Sequence, residues 1–287
     1  MLYEVSFALP VNQSLKAEIL IRVINNSGIP ATEITETVQK NQIRIAFYIS
    51  GKNRALKIKK NIHFRIKKLP SSEWLTKWKE FFIPFNFTKG LRLIPFGQKD
   101  TKKDNTRQKI YIDTSVAFGS GLHATTQLVA QLIEDETGNF KSFLDVGTGS
   151  GILSIVAGNS GAEKILAVDF DEKAIITAKR NFRLNKVQGA CLKKGDILAF
   201  PIKDRYDFVA ANLLTEELIL AKKAVIGFVK PEYYLVVSGV SLLNLNRFRK
   251  VFEAKSRLRL LKLKQKRGWV ALLYEKRNHL TKHPKKV

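Results

Sequence analysis

The sequence predicts an α/β protein: a doubly wound, mostly parallel, seven-stranded sheet with a small α+β domain ahead of it. Three observations carry this. Phe143-Leu144-Asp145-Val146 is a short apolar run that enters the turn Gly147-Thr148-Gly149-Ser150-Gly151 and then the apolar run from Ile152. Strand, glycine turn and helix in that order open a βαβ unit, and alternate glycines let backbone turn tightly against a ligand. Lys164–Asp169 is a second apolar run that ends in a carboxylate about 20 residues past the turn, where an acid can grip a ribose diol. The same alternation continues to about residue 240 and finishes in two strand-like runs joined at Gly268.

In chain order, residues 2–8 alternate as a strand and residues 14–26 read as a helix capped by Asn12 or Ser14. Thr32–Val38 and Gln42–Ser50 read as two strands with a short polar turn between them. From Leu56 to Lys67 the apolar residues share one parity, and Lys57, Lys59, His63, Arg65 and Lys67 share the other, which predicts a strand with a basic outer face. Such a face docks an anionic partner or protects a sheet edge. These elements make residues 1–70 a partial ferredoxin-like α+β domain with little room for its second helix. Ser71-Ser72-Glu73 opens a helix with Trp74, Trp78 and Phe82 on one stripe. Leu91–Phe96 is a strand, Gln98–Gln108 a polar surface loop, and residues 71–109 as a whole a linker. Ile110–Thr126 reads as a loop rich in glycine and hydroxyls leading into a helix over 125–136.

Strands follow near 142–147, 164–170, 190–195, 206–212 and 234–240, with helices near 150–159, 171–185 and 215–229. A helix near 241–254 and an antiparallel hairpin of 257–265 and 269–276 close the sheet, so the catalytic domain spans 110–277 and a basic tail 278–287. In parallel sheets of this kind ligands bind at the carboxyl ends of the strands.

The glycine turn excludes two other nucleotide-binding patterns. A dinucleotide fingerprint that starts at Gly147 needs glycine at 152, where Ile152 stands; one that starts at Gly149 needs it at 154, where Ser154 stands. No Gly-Lys-Ser/Thr follows, so it is not a P-loop. Cys191 is the single cysteine, which excludes an internal disulfide, and the four histidines show no metal-ligand spacing. No apolar run is long enough to span a bilayer and no signal pattern begins the chain, so a soluble cytoplasmic protein is expected. The formal charge of +25 suits an anionic partner such as RNA or a ribosome, and equally a lysine-rich proteome.

The acid-x-Gly-x-Gly-x-Gly pattern of Asp145–Gly151 resembles the first motif of class I S-adenosylmethionine-dependent methyltransferases. Further stretches narrow the resemblance to the bacterial ribosomal protein L-11 methyltransferase family of PrmA type. They are the tryptophan helix from Glu73 to Phe82, the loop Asp113…Ala117-Phe118-Gly119-Ser120-Gly121-Leu122-His123-Ala124-Thr125-Thr126, the run Asp207–Leu214, Ser238-Gly239 and Gly268–Leu272. The chain departs from the family's loop at Leu122 and Ala124, where Thr and Pro are usual. The resemblance implies a Rossmann-like methyltransferase that binds S-adenosylmethionine through Phe118, Gly119, Thr125, Asp145, Gly147, Thr148, Gly149, Asp169, Asp196 and Asn212. Asp169 is expected at the ribose hydroxyls, Gly147–Gly149 at the methionine end, Asp196 near adenine, and Asp145 as the residue that orders the loop. It further implies methyl transfer to amines of a ribosomal protein, with Asn212 and the Leu213 carbonyl as acceptors that aim the nitrogen, and no metal. Electrostatic contact with rRNA accompanies this reading. An RNA methyltransferase or a non-catalytic ribosome-associated cofactor-binding protein are the alternatives. The first expects aromatics after Asn212, where Leu213-Leu214 stand; the retained Gly147, Gly149, Asp169 and Asn212 argue against the second.

Overall fold

A computed structural model of the chain describes residues 2–10, 34–39, 42–50, 65–69, 83–100, 106–113, 121–200 and 204–278. The chain divides into two compact units, Met1–Ile83 and Pro84–Val287.

In the first unit, strands β1 (Leu2–Pro10), β2 (Ile34–Gln39), β3 (Gln42–Ser50) and β4 (Arg65–Leu69) form one antiparallel sheet in the order β2-β3-β1-β4. This is the strand order of a split β-α-β unit, in which β3 lies between β1 and β2. Arg65 is exposed, opposite Ser6. The helices expected over 14–26 and 71–82, with Trp74, Trp78 and Phe82, lie outside the described residues, as do Lys57, Lys59 and His63.

The second unit opens with a three-stranded sheet of β5 (Phe85–Asn86), β6 (Leu91–Pro95) and β7 (Gln108–Ile112), in which β7 runs parallel to β6. Here the structure corrects the expected loop from residue 110. Ile110 and Ile112 are fully buried while Lys109 and Tyr111 are exposed, the period of two of a strand with one wet face. The expected domain start at 110 thus falls inside a strand.

The main sheet has seven strands in the order β10-β9-β8-β11-β12-β14-β13. They are β8 (Ser142–Val146), β9 (Lys164–Asp169), β10 (Ala190–Lys194), β11 (Tyr206–Asn212), β12 (Val229–Ser241), β13 (Leu258–Lys266) and β14 (Trp269–Lys276). The first five are parallel neighbours, β14 alone runs antiparallel to them, and β13, antiparallel to β14, runs in their direction again. Five helices accompany them among the described residues: α1 (Ala124–Glu134), α2 (Ile152–Asn159), α3 (Glu172–Leu184), α4 (Thr215–Gly227) and α5 (Leu245–Phe252). Alternating residues of β11 bury both faces of the sheet. Val209 and Ala211 join Val146, Val237 and Tyr274 with Leu218 and Val225 of α4 and Phe248 and Phe252 of α5 in one cluster. Phe208, on the opposite parity, meets Phe140, Phe143 and Tyr234 at ring separations of 4.9–5.6 Å. α1 packs on β12 and β14.

Strand β12 begins five residues earlier than its pattern suggests, because Val229 pairs with Tyr206 before a register shift that passes Glu232 at φ 67°. The hairpin turn is Arg267-Gly268 with both φ positive, 50° and 81°, as a two-residue turn between right-twisted strands demands. No helix of the described residues is long and apolar enough to cross a membrane.

Candidate cofactor and amine site

The carboxyl ends of β8, β9, β10, β11 and β12 converge, and most sequence-predicted residues stand there. The turn after β8 carries Gly147, Gly149 and Gly151 at φ of 72°, 55° and 80°. A Cβ on Gly147 would lie 2.6 Å from Leu213 Cδ2, and one on Gly151 2.6 Å from the Phe182 ring. Both positions combine a left-handed backbone with a close neighbour, so only glycine fits. The turn is pinned to β9, because Gly147 N and Thr148 N both donate to Val168 O, at 2.9 and 3.0 Å.

Asp169 ends β9 and is 8% exposed. Its Oδ2 accepts from Gly149 N at 2.9 Å and its Oδ1 from Asp171 N at 3.0 Å. An ionised carboxylate has about four acceptor positions, so two stay free for hydroxyl donors. Gly195 N donates to Asp169 O at 2.9 Å, which brings the end of β10 beside it. One residue on, Asp196 is exposed and its Oδ1 takes the Leu198 N–H at 2.9 Å.

Asp145 lies deeper, 1% exposed. Its Oδ2 accepts from Thr148 Oγ1 (2.8 Å), Ser154 Oγ (2.7 Å) and Ser154 N (3.1 Å). It therefore ties the glycine turn down and satisfies an N–H of the first turn of α2, whose own N-cap Gly151 has no side chain to do so. Its Oδ1 is buried without a hydrogen-bond partner. Burial pushes the Asp145 carboxyl up to about 6, against the pull of the Ser154 and Thr148 hydrogen bonds, and the Asp169 charge adds to the rise.

Asn212 ends β11, half-buried, with its Nδ2 3.4 Å from Thr126 Oγ1 of α1. Leu213 joins three strand ends. Its side chain covers Gly147, its N–H donates to Ser238 O at 3.1 Å, and its carbonyl oxygen lies 1.8 Å from where a Gly239 Cβ would stand. Gly239, at φ 94°, leaves that carbonyl room. Thr125 is 2% exposed beneath His123, which caps α1: Nδ1 accepts from Thr125 N and lies 2.7 Å from Thr125 Oγ1. Only a neutral imidazole accepts there, and burial, then the Arg267 charge, lowers the His123 pKa to about 4. Gly121 rests on Leu93 and on Ile152 at the start of α2. Phe118 and Gly119 lie outside the described residues.

The residues fit S-adenosylmethionine. A glycine cradle that a Cβ would fill stands beside the buried Asp169 carboxylate, whose remaining acceptor positions suit a ribose diol.

Sequence reasoning missed two amides of α3. Asn181 is fully buried. Its Oδ1 accepts from Asp113 N at 2.8 Å, and its Nδ2 donates to Asp113 O at 3.1 Å and to Ser150 O at 2.8 Å. One helical turn on, Asn185 accepts from Tyr111 N at 2.8 Å and donates to Tyr111 O at 2.6 Å. The available signal was their spacing of four, on the same face as Ala178 and Phe182.

A family profile described as Ribosomal protein L11 methyltransferase (PrmA) matches residues 15–277. The ribosomal protein L11 methyltransferase of Listeria innocua is 34% identical over 213 residues, 73% of this chain and 67% of that protein. Its counterpart from Dictyoglomus thermophilum is 31% identical over 242 residues, 84% of this chain and 77% of that protein. Among solved structures, the ribosomal protein L11 methylase of Lactobacillus delbrueckii subsp. bulgaricus superposes with a TM-score of 0.62 at 26% identity, covering 68% of this chain and 100% of that one.

Proposed function

The chain belongs to the ribosomal protein L11 methyltransferase family and is an S-adenosylmethionine-dependent protein methyltransferase, and we propose that it methylates amine nitrogens of large-subunit ribosomal protein L11 at the carboxyl end of the main sheet. The observation that carries this is Asp169, whose carboxylate closes β9 and takes the N–H of the central glycine of the turn. In this reading Asp169 holds the ribose hydroxyls, the Gly147–Gly149 backbone the methionine end, and Asp196 lies toward adenine. Thr148 and Asp145 keep the turn in shape, and Phe118, Gly119 and Thr125 line the methionine side. When bound, the cofactor supplies an electrophilic methyl group on a sulfonium.

The protein's part is alignment. A lysine amine has a reference pKa of about 10.4 and a terminal amine about 7.7–8.0, so the nucleophile must be delivered neutral. A poorly solvated mouth favours that form. The Asn212 side-chain oxygen accepts one amine N–H and the Leu213 carbonyl a second, which leaves the lone pair aimed at the methyl group. The contact of Leu213 with Gly147 and Gly239 supports this role, because it fixes the acceptor relative to the glycine turn.

The substrate is recruited by residues 1–70, whose basic positions suit a ribosome-associated partner, and the enzyme works in the cytoplasm, where that protein is made. The chain is reacted with labelled cofactor, ribosomal proteins and stripped rRNA, and the products are read by mass spectrometry. Label on L11 amines is expected; label on rRNA alone overturns the protein substrate.

A further inference from the structure

Strand β7 pairs with β6 on one edge. On its other edge no strand of the described residues follows; α3 and its C-cap supply two carboxamides instead. Residues 111 and 113 repeat at about 6.6 Å along a strand, and residues 181 and 185 at about 6 Å along a helix. The near match lets Asn185 bond both the N–H and the C=O of Tyr111, and Asn181 both those of Asp113, as a neighbouring strand would. Asn181 goes further. Its second Nδ2 proton is spent on Ser150 O, inside the glycine turn. Both amide protons and the amide oxygen are therefore committed, in a position with no exposure at all. Phe182 and Ala178 meet Gly151 from the same helix, so the turn is held by α3 as well as by its bonds to β9.

Resting on the cofactor reading above, we propose that Asn181 is a positioning residue for S-adenosylmethionine: it holds the Ser150 peptide so that the glycine turn keeps its ligand-ready shape before the ligand arrives. Three alternate left-handed glycines leave the turn wide conformational freedom. Gly149 N must nonetheless stay on Asp169 Oδ2 for that carboxylate to face a ribose. Ser150 lies between the two clasped points, and its carbonyl is the handle. Asn185 bonds the strand and the Asn181 carbonyl of its own helix, and makes no bond to the turn.

That difference supplies the test. Asn181→Ala removes a buried amide and Asn185→Ala a half-buried one, and both should lower the melting temperature of the full-length chain. Isothermal titration with S-adenosylhomocysteine, well below either melting temperature, should separate them. Asn181→Ala should raise the dissociation constant by about tenfold or more, the equivalent of one good hydrogen bond, while Asn185→Ala stays within about threefold. The KM for S-adenosylmethionine should rise with the dissociation constant and kcat should stay near the wild-type value. Asn181→Asp, which keeps the acceptor for Asp113 N and the size of the side chain but loses both donations, should behave as Asn181→Ala does, and it serves where the alanine variant does not fold. Wild-type affinity in Asn181→Asp or Asn181→Ala, or an equal loss in Asn185→Ala, overturns the proposal and leaves the cofactor site standing. A wild-type chain that binds no S-adenosylhomocysteine overturns both together.

Discussion

Replacing Asp145 by asparagine should change how the stability of the protein depends on pH, and the size of the effect follows from the site. The carboxyl is 1% exposed, one of its oxygens lacks a partner, and its pKa is raised from 3.8 to about 6. Burial is the main cause, partly offset by the bonds from Ser154 and Thr148. Because the folded pKa lies above the unfolded one, ionisation destabilises the folded state. The cost is fully present above about pH 6 and is relieved as pH falls toward 3.8. At about 1.36 kcal/mol per pH unit the full difference is about 3 kcal/mol, of which about half falls between pH 5 and pH 8. Asparagine carries no charge but turns the unpartnered position into an N–H₂ or a C=O without a partner, at a pH-independent cost of about 1–3 kcal/mol. The absolute stability of the variant thus depends on that offset, whereas the pH slope of the difference does not. His123, whose pKa is lowered to about 4, contributes the opposite slope in both proteins and cancels. Urea unfolding of wild type and variant at pH 5, 6, 7 and 8 should show the variant gaining on wild type by on the order of 1 kcal/mol across the range. Parallel curves would mean that Asp145 is ionised at an ordinary pKa and that its second oxygen has a partner in solution, and would refute the reasoning.

Asp169→Ala removes a charged acceptor and should weaken S-adenosylhomocysteine binding by about 1.5–3 kcal/mol in calorimetry, with the melting temperature checked because Gly149 N and Asp171 N lose their acceptor as well. Asn212→Ala should lower single-turnover methylation while cofactor affinity stays nearly intact; wild-type rates would remove Asn212 from the chemistry. Gly239→Ala puts a Cβ 1.8 Å from Leu213 O at φ 94° and should reduce both stability and turnover, by thermal melting and activity assay. A chain lacking residues 1–83 should bind S-adenosylhomocysteine as the intact chain does yet fail to label ribosomal protein L11, and the label on L11 should fall as salt rises if recruitment is by charge.

The seven-stranded sheet is legible in the sequence because its central strands are apolar on both faces and its helices intervene at regular intervals. Gly147, Gly149 and Asp169 stand out by type and spacing alone. What escaped reading did so for identifiable reasons. Strand β7 has two buried isoleucines in five residues, flanked by Gln108 and the charged stretch before it, so its period is too short to rise above a loop. Asn181 and Asn185 look like a solvated helix face because an amide's partners are backbone groups 68 and 74 positions away, which leave no local trace. His123 as a helix cap is likewise invisible, since its acceptor role depends on burial that keeps the ring neutral. The junction of Leu213 with Gly147 and Gly239 needs three strand ends brought together, and a sequence lists them 66 and 26 residues apart.

Strand β14 comes last among the described strands but sits inside the sheet, with β12 on one side and β13 on the other. During synthesis the chain emerges from its amino end, and segments fold as their contacts become available. The first-unit sheet has all four of its strands by Leu69. The main sheet cannot finish until Trp269–Lys276 has left the ribosome, and until then β12 presents an open edge of apolar backbone able to pair with any passing strand. A nascent or truncated chain that stops at Gly268 therefore has two strands waiting for one missing neighbour. Its fate would be set by chaperones and aggregation, with every residue of the cofactor turn already in place.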